Sequence, residues 1–283
     1  MTVVDRLGPE HAAAVAELCR VALGADAPEP ADLTANLFGP LPVTVRGDPE
    51  VGVVATAVRA GTGYVRLLAV HPHHRRRGVG HALLAAAEAD LAEQCAGDGA
   101  AITVGADAPD YLFPGVPAHL TPMLCLLEAR GYDRGEANLN MAVNLTALPP
   151  DPGGPRLATD ADADEVGQWA RTHWSWWADE VETALRKDRL LVARDDEGIA
   201  GFCAWDVNRG GWLGPVAVRP SAIGKRIGVP LLLGALHRMR ADGRTRAEIA
   251  WISPVRFYAR NVGAVMGTVF IVCRKRLGAA HQS

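Results

Sequence analysis

At 283 residues the chain is long for one compact domain and comfortable for two of about 140 each. It is 49% hydrophobic and 22% charged with a formal net charge of -3, the balance of a globular protein and not of a disordered or nucleic-acid-coating one. No apolar run reaches the roughly 18 residues of a membrane span, and no charged-then-apolar leader opens the sequence. The five cysteines (Cys19, Cys95, Cys125, Cys203, Cys273) are scattered, with no Cys-x-x-Cys pair, which excludes a disulfide scaffold. A cytoplasmic protein with reduced thiols is expected.

In chain order, Val3-Val4 reads as a short strand and His11 to Leu23 as an alanine-rich first helix. A second short helix is expected over Ala31 to Phe38, and Val43–Val45 with Val51–Val58 form a hairpin around Gly47-Asp48-Pro49. The run Val65 to Val70, broken only by Arg66, reads as a buried strand that His71-Pro72 ends, because proline cannot donate to a ladder. Arg75-Arg76-Arg77 and Gly78-Val79-Gly80 follow, then a strong helix former running to about Gln94. Ala101 to Val104 is the next strand, 105–117 a loop, and a helix ends at Gly131 as its C-cap. Leu139 to Leu145 closes this half as a strand, and the proline- and glycine-rich 149–155 is a linker.

After the linker the pattern repeats. Asp160 to Trp169 is again a first helix, and Asp188–Asp195 with Gly198–Trp205 again a hairpin. Trp212 to Pro220 corresponds to the strand ending at Pro72, and Ile223 to Leu232 to the glycine loop and helix start. Ala247–Ile252 is the following strand, Val255–Gly263 the last helix and Val269–Lys275 the closing strand. The expected organisation is therefore residues 1–148, a linker at 149–155, and residues 156–283.

The order of strand, basic glycine turn and helix makes an anion site. The first amides of a helix have no intrahelical partner, and the helix dipole puts partial positive charge there. Glycines at 78 and 80 let backbone amides approach a pyrophosphate closely. The spacing Arg75-x-x-Gly78-x-Gly80 is neither a Walker loop nor a dinucleotide-binding fingerprint. With the preceding Leu68-Ala69-Val70-His71-Pro72, it resembles the acyl-CoA loop of the Gcn5-related N-acetyltransferase (GNAT) superfamily. Because both halves repeat the pattern, the resemblance covers nearly the whole chain and implies a tandem protein. The implied fold is α/β, an α+β mixed sheet in each of two tandem acyl-CoA N-acyltransferase (GNAT-like) domains.

The resemblance also implies a chemistry: transfer of an acetyl group from acetyl-CoA to a primary amine of a small-molecule acceptor. The loop residues Arg75, Arg76, Arg77, Gly78, Val79, Gly80 and His81 would take the pyrophosphate, and Leu68, Ala69 and Val70 would lie along the pantetheine. The amine, with a free pKa of about 10 in a lysine-like acceptor, must lose a proton, and the departing thiolate benefits from an acid. In the family that acid is commonly a tyrosine on the last helix, but here Leu127 stands at its place in the first half. Tyr111 in the following loop is the substitute candidate, with Asp107 and Asp110 as the nearest bases; a packed loop with a turn at Pro114-Gly115 is the alternative. The second half shows the reverse. Tyr258 occupies the family's tyrosine position, whereas the loop reads Ile223-x-x-Arg226-x-Gly228, with isoleucine for the leading Arg/Gln and arginine for the first glycine.

Two rivals follow from this asymmetry: catalysis in the C-terminal half through Tyr258, and a non-catalytic acyl-CoA sensor or scaffold. A longer acyl donor is a third. His71, His73 and His74 cluster before the loop, but no carboxylate or cysteine completes a set, so no metal site is expected. Trp169, Trp174, Trp176 and Trp177 read as packing, with a wall of the acceptor pocket as the alternative. Glu88, Asp90 and Glu93 read as an exposed helix face, and Arg274-Lys275-Arg276 as a solvated strand end. No nucleic-acid or membrane partner is expected, and an oligomer is left open.

Overall fold

The structure is a computed structural model that describes residues 5–95, 97 and 99–278. The strand expected at Val3-Val4 lies outside the described residues. The chain forms two compact units: the first runs to Asn138 and adds the residues from Val269 onward, and the second is Leu139–Thr268.

The first unit contains β1 (Arg6–Leu7), α1 (Ala12–Leu23), α2 (Pro30–Phe38), β2 (Val43–Asp48), β3 (Gly52–Arg59) and β4 (Thr62–Val70). It continues through α3 (Val79–Gln94), β5 (Ala101–Val104), β6 (Val116–Pro117) and α4 (Thr121–Ala129), after which β7 (Asp133–Asn144) leads out of it. The second contains β8 (Arg156–Leu157), α5 (Ala163–His173), α6 (Ala178–Arg186), β9 (Leu190–Asp195), β10 (Gly198–Trp205) and β11 (Trp212–Val218). It is completed by α7 (Gly228–Ala241), β12 (Arg246–Ile249) and α8 (Val255–Val262), and β13 (Val265–Arg276) leads back to the first unit. Helix α6 was not anticipated by the sequence reading, which saw only a tryptophan patch there. Trp169 is buried in the core of the second unit, Trp174 and Trp177 pack against that core, and Trp176 is exposed.

Neighbouring strands are antiparallel except β4 with β5 and β11 with β12, which run parallel. Side chains alternate across β3. Val53 and Ala55 enter a core with Val15, Leu18 and Cys19 of α1 and Leu33 and Leu37 of α2, while Val54 enters one with Leu83, Leu84 and Leu91 of α3. Each fully buried leucine of this kind is worth roughly 1.5–3 kcal/mol of transfer free energy. The second unit repeats the plan, with Phe202 and Ala204 facing α5 and α6 and with Cys203 and Trp205 facing α7 and α8. Among the described residues no helix is long and apolar enough to cross a membrane.

The closing strands are the main correction. Residues of β7 from Met141 to Asn144 pair with β12 of the second unit, and Cys273 to Arg276 of β13 pair with β5 of the first. Neither expected strand closes the half of the sequence that precedes it. Alternation of apolar residues tells which face of a strand is buried, but not which sheet edge it joins, so linear order misassigned both.

Candidate active site

The site begins with a strand that leaves its neighbour. β4 pairs with β5 only at Gly63–Ile102, Tyr64–Thr103 and Val65–Val104, and the Gly105 amide donates to the Val65 carbonyl at 2.9 Å. Beyond that point β4 continues to Val70 against β3. The register with β3 jumps between Ala55–Leu67 and Thr56–Val65, which leaves Arg66 as the extra residue of a bulge. The bulge changes the phase of the strand. Val65 packs on the α3 side and Leu67 on the α1 side, although an even strand would put both on one face.

A cleft of about 610 Å³ opens where the strands diverge. Its lining includes Leu68, Ala69, Val70, Arg75, Arg76, Gly78, Val79, Gly80 and His81, so every residue the sequence nominated for the loop and strand is there except Arg77. Ala22 and Leu23 of α1 and Leu120, Pro122, Met123 and Leu126 at α4 form the opposite wall. The loop needs its glycines for two different reasons. Gly78 has φ +82°, a left-handed conformation that costs a side chain dearly, and Arg76 before it holds φ +60°. At Gly80 a Cβ would lie 3.3 Å from Leu126 Cδ2, so the first turn of α3 sits close against α4.

Arg75 does not point at an anion here. Its guanidinium donates to the Val70 carbonyl at 3.1 Å and to the Ala22 carbonyl at 2.7 Å, tying the loop to the strand end and to the last turn of α1. His81 accepts a hydrogen bond at Nε2 from Arg130, 3.2 Å away. Arg130 in turn pairs with Glu88, which also takes Lys275 at 3.2 Å. Glu88 is therefore buried and doubly paired, and Asp90 is half-buried against Arg46 at 2.5 Å, so of the expected exposed face only Glu93 is exposed. Likewise Arg274 and Arg276 are exposed, but Lys275 between them is half-buried on Glu88.

The inner end of the cleft is a smaller cavity of about 50 Å³, which shares Leu23, Leu68, Leu120 and Met123 with it. Behind it lies a buried ion network. Arg66 Nε is 2.9 Å from Asp107 Oδ2, with both side chains 1% exposed, and Arg59 donates to Asp107 at 2.9 Å and to Asp110 at 3.1 Å. Arg66 also donates to the backbone carbonyls of Asn36, at 3.1 Å, and Asp110. Burial pulls the Arg66 pKa down, with Asp107 opposing. The two aspartates expected as bases are thus held by guanidiniums: Asp107 shares its oxygens between two arginines, and Asp110 is held by Arg59. Tyr111 is buried on the same loop and lines neither cavity. The cause is the packing of the loop, whose Leu112 and Phe113 enter the core with α1 and α2. Leu127, at the place of the family's tyrosine, is buried in the core on the other face of the sheet.

In the second unit the same backbone carries different chemistry. Gly224 and Arg226 have φ +91° and +60°, and a Cβ on Gly228 would meet Phe257 at 3.3 Å, as one on Gly80 meets Leu126. Arg219 pairs with Asp195 at 2.7 Å and with Glu197 at 3.1 Å, and Lys225 lies within 3.8 Å of both carboxylates. Tyr258 is buried on α8, its ring 5.1 Å from that of Phe257. Burial, with Cys203 as a smaller cause, raises its phenol pKa above the ordinary value, so it keeps its proton at neutral pH. His71 Nδ1 accepts the His73 amide at 3.3 Å, and among the described residues no group of three or more ligand-type side chains is placed to hold a metal.

Family models for an acetyltransferase (GNAT) domain and for the acetyltransferase (GNAT) family match residues 43–111 and 157–264. A mycothiol acetyltransferase from Geodermatophilus obscurus is 32% identical over 230 residues, which is 73% of this chain and 68% of that protein. Among solved structures, a GCN5-related glucosamine N-acetyltransferase region of a fungal multi-domain β-N-acetylglucosaminidase superposes with a TM-score of 0.76 at 20% identity. The match covers 96% of this chain and 38% of that longer one. A tandem GNAT protein from the clavulanic acid biosynthesis pathway gives a TM-score of 0.72 at 19% identity, covering 99% of both chains. These two likenesses show the fold.

Proposed function

The chain belongs to the acetyltransferase (GNAT) family and is an acyltransferase of the tandem type, and we propose that its first unit takes acetyl-CoA and that the acetyl group passes to a primary amine of a small molecule. One observation carries this reading: the cleft of about 610 Å³ gathers the glycine loop, the start of α3 and the free side of β4. The unpaired first amides of α3 and the cation Arg76 suit a pyrophosphate, and Gly78 and Gly80 keep the backbone accessible to it. Arg77 stands at the rim of the same basic loop as a further cation. Leu68, Ala69 and Val70, free of β5, offer the pantetheine an unpaired strand edge and an apolar wall. Similarity to an enzyme named for mycothiol supports a small, thiol-bearing acceptor. Free cysteines at five positions suit a cytoplasmic setting. The family matches on either side of 149–155 support two sequence repeats, 1–148 and 156–283, with exchanged closing strands.

In the reaction the C–N bond forms as the C–S bond breaks, and sulfur leaves with the electron pair and takes up a proton. A second reading places this step in the C-terminal unit. It is favoured by Tyr258, a buried phenol that holds its proton and can give it to a thiolate, whereas Tyr111 lines neither cavity of the first unit. Calorimetry with acetyl-CoA on the wild type and on Gly80→Trp and Gly228→Trp, each checked for folding by circular dichroism, separates the sites. Loss of binding of about 100-fold or more, near 2.7 kcal/mol, is expected for Gly80→Trp alone. Loss only in Gly228→Trp would overturn the assignment. Thiol release with a panel of small amines is then compared in Tyr258→Phe. Unchanged turnover keeps the chemistry in the first unit, and a fall of about 100-fold moves it to the second.

A further inference from the structure

The inner cavity is where the identity of the acyl group is decided, and this inference rests on the reading that the first unit's cleft holds an acyl-CoA. The cavity shares its mouth with the cleft through Leu23, Leu68, Leu120 and Met123, so whatever extends past the end of a pantetheine in the cleft must enter it. Its volume is about 50 Å³. With about 10–15 Å³ needed for each water-sized group, it has room for about four of them. An acetyl group presents three non-hydrogen atoms beyond sulfur, butyryl five and succinyl seven.

The back wall cannot retreat to admit more. A Cβ on Gly105 would lie 2.8 Å from the backbone of Gly115, and one on Gly115 would lie 2.8 Å from the Ile271 carbonyl, so three backbone segments already touch there. Phe113, 8% exposed, closes another side, and its carbonyl accepts from the Ala106 amide at 2.8 Å. The Asn138 side chain fixes the next residue by donating to the Pro114 carbonyl at 2.7 Å. The exception is Met123. It is half-buried at the mouth on α4, and its unbranched side chain is the adaptable part of the lining.

The chemistry of the lining is as selective as its size. Arg66 is the one charged residue among those that line it, and its guanidinium is committed to Asp107, Asp110 and Asn36. A carboxylate entering this space would shed its water with no uncommitted donor to receive it. We infer that this cavity is an acyl pocket that accepts acetyl and propionyl groups, rejects butyryl by length and succinyl by length and charge, and has Met123 as its length-setting residue.

The test is calorimetric titration of the full chain with free CoA and with acetyl-, propionyl-, butyryl- and succinyl-CoA, on the wild type and on Met123→Ala. In the wild type, butyryl- and succinyl-CoA are expected to bind about tenfold or more weaker than acetyl-CoA, the discrimination typical of a tight apolar pocket. Met123→Ala is expected to bring butyryl-CoA to within about threefold of acetyl-CoA while succinyl-CoA stays weak. Butyryl-CoA binding as tightly as acetyl-CoA in the wild type overturns the inference. So does an unchanged preference in Met123→Ala. If free CoA itself fails to bind, the cleft assignment falls and takes this inference with it, an outcome distinct from CoA binding with a flat acyl preference.

Discussion

The strand-to-helix loop occurs twice, at 71–80 and at 219–228, and its left-handed positions repeat in register: Arg76 and Gly78 in the first, Gly224 and Arg226 in the second. The hairpin turn beside each also repeats, for Asp48 accepts the Glu50 amide at 2.8 Å as Asp195 accepts the Glu197 amide at 3.0 Å. Only in the second do cations of the loop engage that acidic turn. Arg219 and Lys225 are drawn onto Asp195 and Glu197, and the hydrogen bond from Arg219 is the main reason the Asp195 pKa is lowered. Position 219 corresponds to His71 and position 225 to Arg77. A backbone suited to an anion is thus retained in both units, while only the first leaves its positive charge available. Anion binding in such a loop depends on what the side chains are already paired with, and not on φ values alone.

A second contrast lies under the splayed strands. By the hydrogen-bond register, Ala250 donating to Leu213 at 3.0 Å matches Gly105 donating to Val65, which sets Ile252 against Asp107. The first unit therefore has a buried charge pair where the second has an aliphatic side chain. Replacing Asp107 by Asn is expected to cost about 3–5 kcal/mol, because Arg66 would be left buried without its counter-charge. Urea denaturation reads this directly. A loss below about 1 kcal/mol would mean that the carbonyls of Asn36 and Asp110 are sufficient to hold the guanidinium.

Exchanging the loop residues tests the first contrast. Gly78→Arg places a side chain at φ +82° and is expected to cost about 1–2 kcal/mol of stability, read as a lower melting temperature. It is also expected to weaken CoA about tenfold, since Gly78 lines the cleft. Arg226→Gly relieves the same strain, but glycine's extra chain entropy takes back about 0.5–1 kcal/mol, so its net gain stays below about 1 kcal/mol. Equal and opposite shifts in the two variants would show that the backbone cost is the whole difference between the loops.

The loop was legible in the sequence because its signals are local: an apolar strand, a proline stop, glycines at two fixed positions and a helix that starts at once. α3 ends at Gln94 as the composition predicts, and β5 occupies the four residues expected of it. What was not legible depends on distant residues. Glu88 looks like part of a charged face until Arg130, 42 positions on, and Lys275, 187 positions on, reach it. Asp107 has the right chemistry for a base, and its fate is set by Arg59, 48 positions earlier. Residue type proposes a role, but the pairing partner decides it. The exchange of β7 and β13 belongs to the same class, because strand pairing is a long-range choice that no local pattern encodes.

The smallest expected effect on stability is the most informative about the loops. Asp195→Asn combined with Glu197→Gln removes exposed and half-exposed ion pairs, whose loss costs about 1 kcal/mol or less, so the melting temperature should barely move. The same change frees Arg219 and Lys225 beside a backbone that already has the left-handed positions of the first loop. If pairing alone silences the second loop, calorimetry with CoA should rise from one site per chain to two. If the stoichiometry stays at one, Arg226 and the packing of Phe257 against Gly228 are what close the second loop, and the two units differ by steric crowding before they differ by charge.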